Sequence, residues 1–155
     1  MSNSTPNSIN APDLTKRPPR SMRARLGGFI ILPRMLDKGR AEIAGTGGEY
    51  HYNCPLDAHF LNFAGVDPAA LREQLALGKG DGEILVWIKE HAAHKHSPWE
   101  IERWSAHFEH RAPASVEQRE FFHQMHKEIA PHREDMSSWA DVLDLDDYVS
   151  FGGKA

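Results

Sequence analysis

Ser97-Pro98-Trp99-Glu100 is followed by Ile101, Trp104, Ser105 and Phe108, and this stretch sets the reading of the whole chain. A serine hydroxyl can accept from the amide three residues ahead while the glutamate reaches back to the serine amide. Proline suits the first helical position, where an N–H would have no partner in any case. The apolar residues behind recur at helical spacing. Similar punctuation repeats on both sides. Toward the C-terminus, Ser115-Val116-Glu117-Gln118 opens a helix with Phe121, Phe122, Met125 and Ile129 on one stripe, ended by Pro131. Ser137 or Ser138 begins a last short helix through Leu143. Toward the N-terminus, Asp81 caps a segment carrying Ile84, Leu85, Ile88 and His91. Asp67-Pro68 starts a helix that Gly78 closes, and Pro55 to Ala64 is a short helix closed by Gly65. Ser21 reads as the N-cap of a helix to about Lys38, with a kink or a close backbone approach where Gly27, Gly28 and Pro33 weaken it. Beyond it, Gly45-Thr46-Gly47-Gly48 lies between Glu42-Ile43-Ala44 and Glu49-Tyr50-His51-Tyr52, a pattern that suits either one small β-hairpin near residues 42–52 or an ordered loop. The predicted fold is all-α, an irregular helical bundle with at most that hairpin as sheet.

Composition agrees with one domain over residues 11–155. The chain has 155 residues, 40% hydrophobic and 26% charged, enough to bury one core without staples. Its longest apolar run, Phe29-Ile30-Ile31-Leu32, ends at Pro33 and is far too short to cross a membrane. Residues 1–10 form a Ser/Asn-rich tail expected to be disordered, without the basic-then-apolar layout of a secretory signal. Residues 11–20, with Pro12, Pro18 and Pro19, predict an extended basic arm. The single cysteine, Cys54, has no internal disulfide partner and suits a reducing, cytoplasmic setting.

Net charge is −4, unevenly spread. Residues 1–40 hold eight Lys/Arg and two Asp, a charge of +6. Residues 41–155 hold ten Lys/Arg and twenty Asp/Glu, a charge of −10, with an acidic run from Asp141 to Asp147. The basic end could attract an external anion, whether RNA or a phosphorylated or carboxylated metabolite. It could equally dock on the acidic end of its own chain or of a second subunit in a homodimer. Nucleic acid is the weaker partner, because an acidic protein repels it.

Within the N-terminal helix, Asp37 falls on the apolar face, with Arg34 and Arg40 three residues to either side and Lys38 adjacent. One reading is a structural ion-pair network; the other is a pocket whose spare Arg and Lys donors hold an anionic ligand. Tyr50-His51-Tyr52-Asn53-Cys54-Pro55-Leu56-Asp57 is the densest run of hydrogen-bonding side chains. Cys54 precedes a helix N-terminus, where a thiol can serve as a nucleophile, although a small buried residue is the commoner fate of an intracellular cysteine. Three histidine pairs have i, i+3 spacing, and Glu120-Phe121-Phe122-His123 matches one half of a di-iron motif. The second half is missing and most of these histidines fall off the apolar stripes, so no metal site is expected. Phosphate-binding loops, dinucleotide fingerprints, zinc-finger spacings and nucleophile elbows are absent from the sequence, and no cofactor is implied.

Five patches carry a family likeness: Asp13-Leu14-Thr15, Leu26-Gly27-Gly28, Arg34-Met35-Leu36-Asp37-Lys38-Gly39-Arg40-Ala41, Gly48 to Asp57, and Leu143-Asp144-Leu145-Asp146-Asp147. From about residue 11 onward the chain resembles the bacterial family called domain of unknown function 5069. The resemblance implies a bacterial protein and carries no reaction with it. The residues themselves favour a pocket for a small anionic metabolite, walled by the N-terminal helix and Tyr50–Asp57. Arg34, Lys38 and Arg40 would neutralise the ligand there, and Asp37 would orient it or act as base. Tyr50 or Tyr52 would donate a hydrogen bond, Asn53 and Asp57 would line the rim, and Cys54 would be the candidate nucleophile. The competing class is a non-enzymatic interaction module whose basic N-terminal arm binds a protein partner or an RNA phosphate backbone.

Overall fold

The computed structural model describes residues 9–155, which form seven helices and one two-stranded hairpin. Strands β1 (Arg25–Leu26) and β2 (Phe29–Ile30) pair antiparallel, Arg25 opposite Ile30 and Leu26 opposite Phe29. The hairpin therefore lies before the first helix and not at residues 42–52. Gly27 and Gly28 both have positive φ, 59° and 85°, as a tight two-residue hairpin turn requires. The two glycines are thus the hairpin turn and not a kink inside a helix, and a Cβ on Gly27 would stand 2.6 Å from the Leu85 side chain, so close approach is part of their role. Helix α1 runs from Leu32 to Ala44 with Pro33 in its first turn, and Gly45 closes it at φ 74°. Glu42-Ile43-Ala44 is thus helical, and the following glycines form turns.

The remaining helices follow their punctuation: α2 (Pro55–Ala64), α3 (Pro68–Ala76), α4 (Asp81–His91), α5 (Pro98–Glu109), α6 (Val116–Ile129) and α7 (Trp139–Ser150). Gly65 ends α2 at φ 69°, Asp67 caps α3 through the Ala70 amide, and Ser97 and Glu100 bond reciprocally at the start of α5. Ser138 caps α7, which continues well past Leu143. The acidic run stays helical because Arg23 meets Asp141 and Asp144, and Arg34 meets Asp147.

Helix α1 is the centre of the molecule: every residue from Leu32 to Gly39 is buried. Leu32, Met35 and Leu36 join Phe60 of α2, Leu71 and Leu75 of α3, and Ile84 and Ile88 of α4 in one core. The Ser105 hydroxyl of α5 accepts from the Ile30 amide and donates to the Gly28 carbonyl, stitching the hairpin to that helix. Helix α6 packs chiefly on α7 and has no buried residue.

Of the N-terminal segment, residues 1–8 lie outside the described residues, whereas Ile9 packs against the core. The arm is partly turned, not fully extended: Asp13 accepts from the Thr15 amide, and Leu14 is buried with its amide on the Thr46 carbonyl. Arg20 then meets Asp37 and Asp81, while Arg23 reaches the acidic helix α7.

These pairings make folding pH-dependent. Hydrogen bonds from Arg20, opposed by burial, hold the Asp81 carboxyl below the usual range. Burial alone would raise Asp141, but the Ser137 and Ser138 amides and Arg23 outweigh it and leave that carboxyl well below the usual range. A lowered folded-state pKa stabilises fully above the unfolded value and is lost as pH falls through the folded one. Urea midpoints should therefore hold steady from pH 7 to 5 and fall below about pH 4. Asp141→Asn should start from a lower midpoint at pH 7 and lose less on acidification.

Candidate functional site

A turn of helix separates Arg34 from Lys38, so the two project from α1 on one side. Asp37 and Arg40 leave on another. That division sorts the candidate residues into two places.

On the first side is a cleft of about 880 Å³ between α1, the segment 48–56, α6 and α7. Arg34, Lys38, Tyr50 and Cys54 all reach its wall, joined by His51, His59, Arg111 and Asp146. Arg34 is 4% exposed and pairs with Asp147, Nη1 to Oδ2 at 2.8 Å. The Tyr50 hydroxyl donates to the other oxygen of the same carboxylate at 2.7 Å, and the Arg34 guanidinium lies 5.4 Å from the centre of the Tyr50 ring. Burial, then this bond to Asp147, pushes the Tyr50 phenol well above its ordinary range, so it keeps its proton and donates. Burial, with Asp147 nearby, also raises the Asp146 carboxyl.

Lys38 is 5% exposed, and its ammonium donates to Asp57 at 3.0 Å and to the Cys54 Sγ at 3.3 Å. Asp57 is fully buried and stands behind Lys38 instead of on the wall. Its second oxygen accepts from the Cys54 amide at 3.4 Å, the back-bond of a capping box at the start of α2. Asn53, just before, turns the chain into the helix at φ 61° and is exposed, off the cleft.

Asp37 and Arg40 face a second cleft, of about 770 Å³, next to the loop before α4. Asp37 takes the Arg20 guanidinium at 3.0 Å and the Arg20 amide at 2.9 Å, and Arg40 stands 4.0 Å away. Its oxygens are committed to neighbouring donors. Arg40 in turn pairs with Asp81 at 2.9 Å. Tyr52 belongs to neither cleft: its ring covers Gly39, and its hydroxyl donates to the Pro68 carbonyl at 2.7 Å. Burial raises its phenol well above the ordinary range.

The structure thus brings Arg34, Lys38, Tyr50 and Cys54 together, sets Asp57 behind them, and takes Asp37, Arg40, Tyr52 and Asn53 elsewhere. Sequence reasoning missed His59, Arg111 and Asp146. His59 lies one turn beyond Pro55 on α2, which the helix period could have revealed. Arg111 follows α5 and left no local signal. Among the described residues, no three His, Cys, Asp or Glu side chains gather as metal ligands.

The family model for a domain of unknown function, DUF5069, matches residues 16–149. The chain belongs to this family. Among curated proteins none matches it. The DUF5069 match takes in both walls of the larger cleft, from Arg34 and Lys38 through Arg111 to Asp146, and leaves out only Leu14, Thr15, Ser150 and Phe151 at its edge.

The Lys38–Asp57 pair is testable by stability. Asp57→Ala strands a buried ammonium and should lower the unfolding free energy by about 3–5 kcal/mol in urea denaturation. Lys38→Met combined with Asp57→Leu removes both charges and should recover most of that loss.

Proposed function

We propose that this protein binds a small anionic metabolite in the larger cleft, in the bacterial cytoplasm. The observation that carries the reading is the composition of the wall. Three basic side chains, Arg34, Lys38 and Arg111, converge with Tyr50, Cys54, His51 and His59 on one concave space. Its volume, about 880 Å³, is of the size that encloses metabolites and cofactors. Ion pairing and burial fix the side chains on the α1 side, so little ordering entropy remains to be lost on binding. Cys54 is the wall residue best placed for covalent chemistry, with the Lys38 ammonium already donating to its sulfur. A lone thiol suits a reducing compartment, and the family resemblance points to bacteria.

The interaction-module reading loses its main support in the arm. Arg20, though still partly exposed, and Arg23 are paired with Asp37, Asp81, Asp141 and Asp144, leaving Arg17 and Arg25 as exposed cations of that end without an ion pair among the described residues, beside Lys16, which stands 4.0 Å from Asp13. Binding to mixed RNA should be weak at physiological salt.

A thermal-shift screen against phosphorylated and carboxylated metabolites tests the proposal. A ligand at 100 times its Kd adds about 2.7 kcal/mol and should raise the melting temperature clearly. Met125→Trp, which fills part of the cleft from α6, should abolish the shift while the protein still melts cooperatively. A screen in which no anion moves the midpoint would count against the reading.

A further inference from the structure

Electrostatic pairing divides the cations of the larger cleft into two kinds. Arg34 and Lys38 each face a built-in carboxylate, Asp147 and Asp57, so an arriving anion would compete with a partner already in place. Arg111 makes no ion pair among the described residues. Its position is nevertheless fixed. Its amide donates to the Phe108 carbonyl at the end of α5, and its carbonyl accepts from the Trp139 amide at the start of α7. The guanidinium lies 5.5 Å from the centre of the Phe108 ring and donates one N–H to His59 Nε2 at 3.2 Å. A guanidinium has five N–H donors, so most of its donors and its whole charge remain available. Partial burial and the Arg111 charge hold His59 below the usual imidazole range, so a neutral ring accepts that bond and does not add a second cation.

Polar side chains, Glu49 and Asp146 among them, share the remaining wall with an apolar part. Leu56 of α2, Phe121 and Met125 of α6, Trp139 and Leu143 of α7, and Phe151 line the same space. Helix α6 presents a stripe of Phe121, Phe122, Met125 and Ile129, yet none of these is buried and Phe121 is 60% exposed. An amphipathic helix normally covers such a stripe against a core. Here Phe121 and Met125 look across the cleft, so an apolar occupant would supply the missing cover.

We infer that the cleft takes an organic acid with a hydrophobic body, its anionic head held by Arg111 and its body lying against α2, α6 and α7. The inference rests on the cleft being the ligand site and adds the ligand's class and its anchoring residue. A highly charged, wholly polar metabolite would leave the apolar wall wet, and a neutral apolar one would leave Arg111 without a partner.

Two fluorescent probes with nearly the same aromatic body separate the two parts. One, 1-anilinonaphthalene-8-sulfonate, carries an anionic head; the other, N-phenyl-1-naphthylamine, does not. The native protein should bind the sulfonate about tenfold or more tightly than the neutral dye. Arg111→Gln should remove that advantage without changing affinity for the neutral dye or the melting temperature, and Arg111→Lys should restore part of it. Met125→Trp should weaken both. Equal affinities in the native protein, or an Arg111→Gln variant that binds the sulfonate as well as before, overturns the role of Arg111 while leaving the cleft reading standing. Binding of neither dye, or binding of both untouched by Met125→Trp, overturns the hydrophobic-body assignment and counts against the cleft as a ligand site.

Discussion

Three charged side chains in the middle of a buried helix have to be neutralised, and the rest of the molecule is arranged around that requirement. Arg34, Asp37 and Lys38 lie on α1 among residues that are almost wholly removed from water. An unpaired charge in such a place is strongly destabilising, so each needs a fixed counter-ion. Asp147 of α7 answers Arg34, Arg20 of the arm and Arg40 answer Asp37, and Asp57 of α2 answers Lys38. Each partner comes from a different part of the chain or from another turn of α1. The ion pairs therefore do what apolar packing does poorly: they specify which segment lies against which face of the central helix. Among the described residues, no buried side-chain polar atom is left without a hydrogen-bond partner.

The same arrangement explains why the candidate residues divide. Residues four apart on a helix lie about 40° apart around the axis, whereas three apart moves about 60° the other way. Reading residues 34 to 40 as one functional group ignored that difference. The charges at 34 and 38 open onto the larger cleft, and those at 37 and 40 tie the arm to α4. Each alternative weighed for the Asp37 cluster has a face of α1 that fits it: Asp37 and Arg40 form an ion-pair network, and Arg34 and Lys38 border a cleft.

Most of the helices were legible because their ends carry local chemistry. Ser97 with Glu100, Asp67 with Pro68, and Gly65 after Ala64 act within a few residues, so the sequence displays them directly. Two things were not legible. Gly27-Gly28 has one sequence and two readings, a kink or a hairpin turn; the Ser105 bridge to the turn and to β2 favours the second, and it comes from seventy-odd residues away. The extent of α7 depends on Arg23 and Arg34, cations more distant still in sequence. The same holds for the site. Lys38, Cys54 and Asp57 lie within twenty residues of one another and meet in the fold, but Arg111 reaches the cleft only through the packing of α5 and α7.

Helix α6 stands apart from this scheme of cross-chain ties. It begins and ends in loops, rests mainly on α7, and contributes no side chain to the central core. Its backbone amides are consequently protected from solvent exchange by helical hydrogen bonds alone, without the buried layer that guards α1. Exchange there can proceed through a local opening that leaves the rest of the fold intact, at a free-energy cost well below that of global unfolding. The protein thus has two levels of cooperativity: a tightly coupled body organised around α1, and one wall of its main cleft that can exchange with solvent on its own.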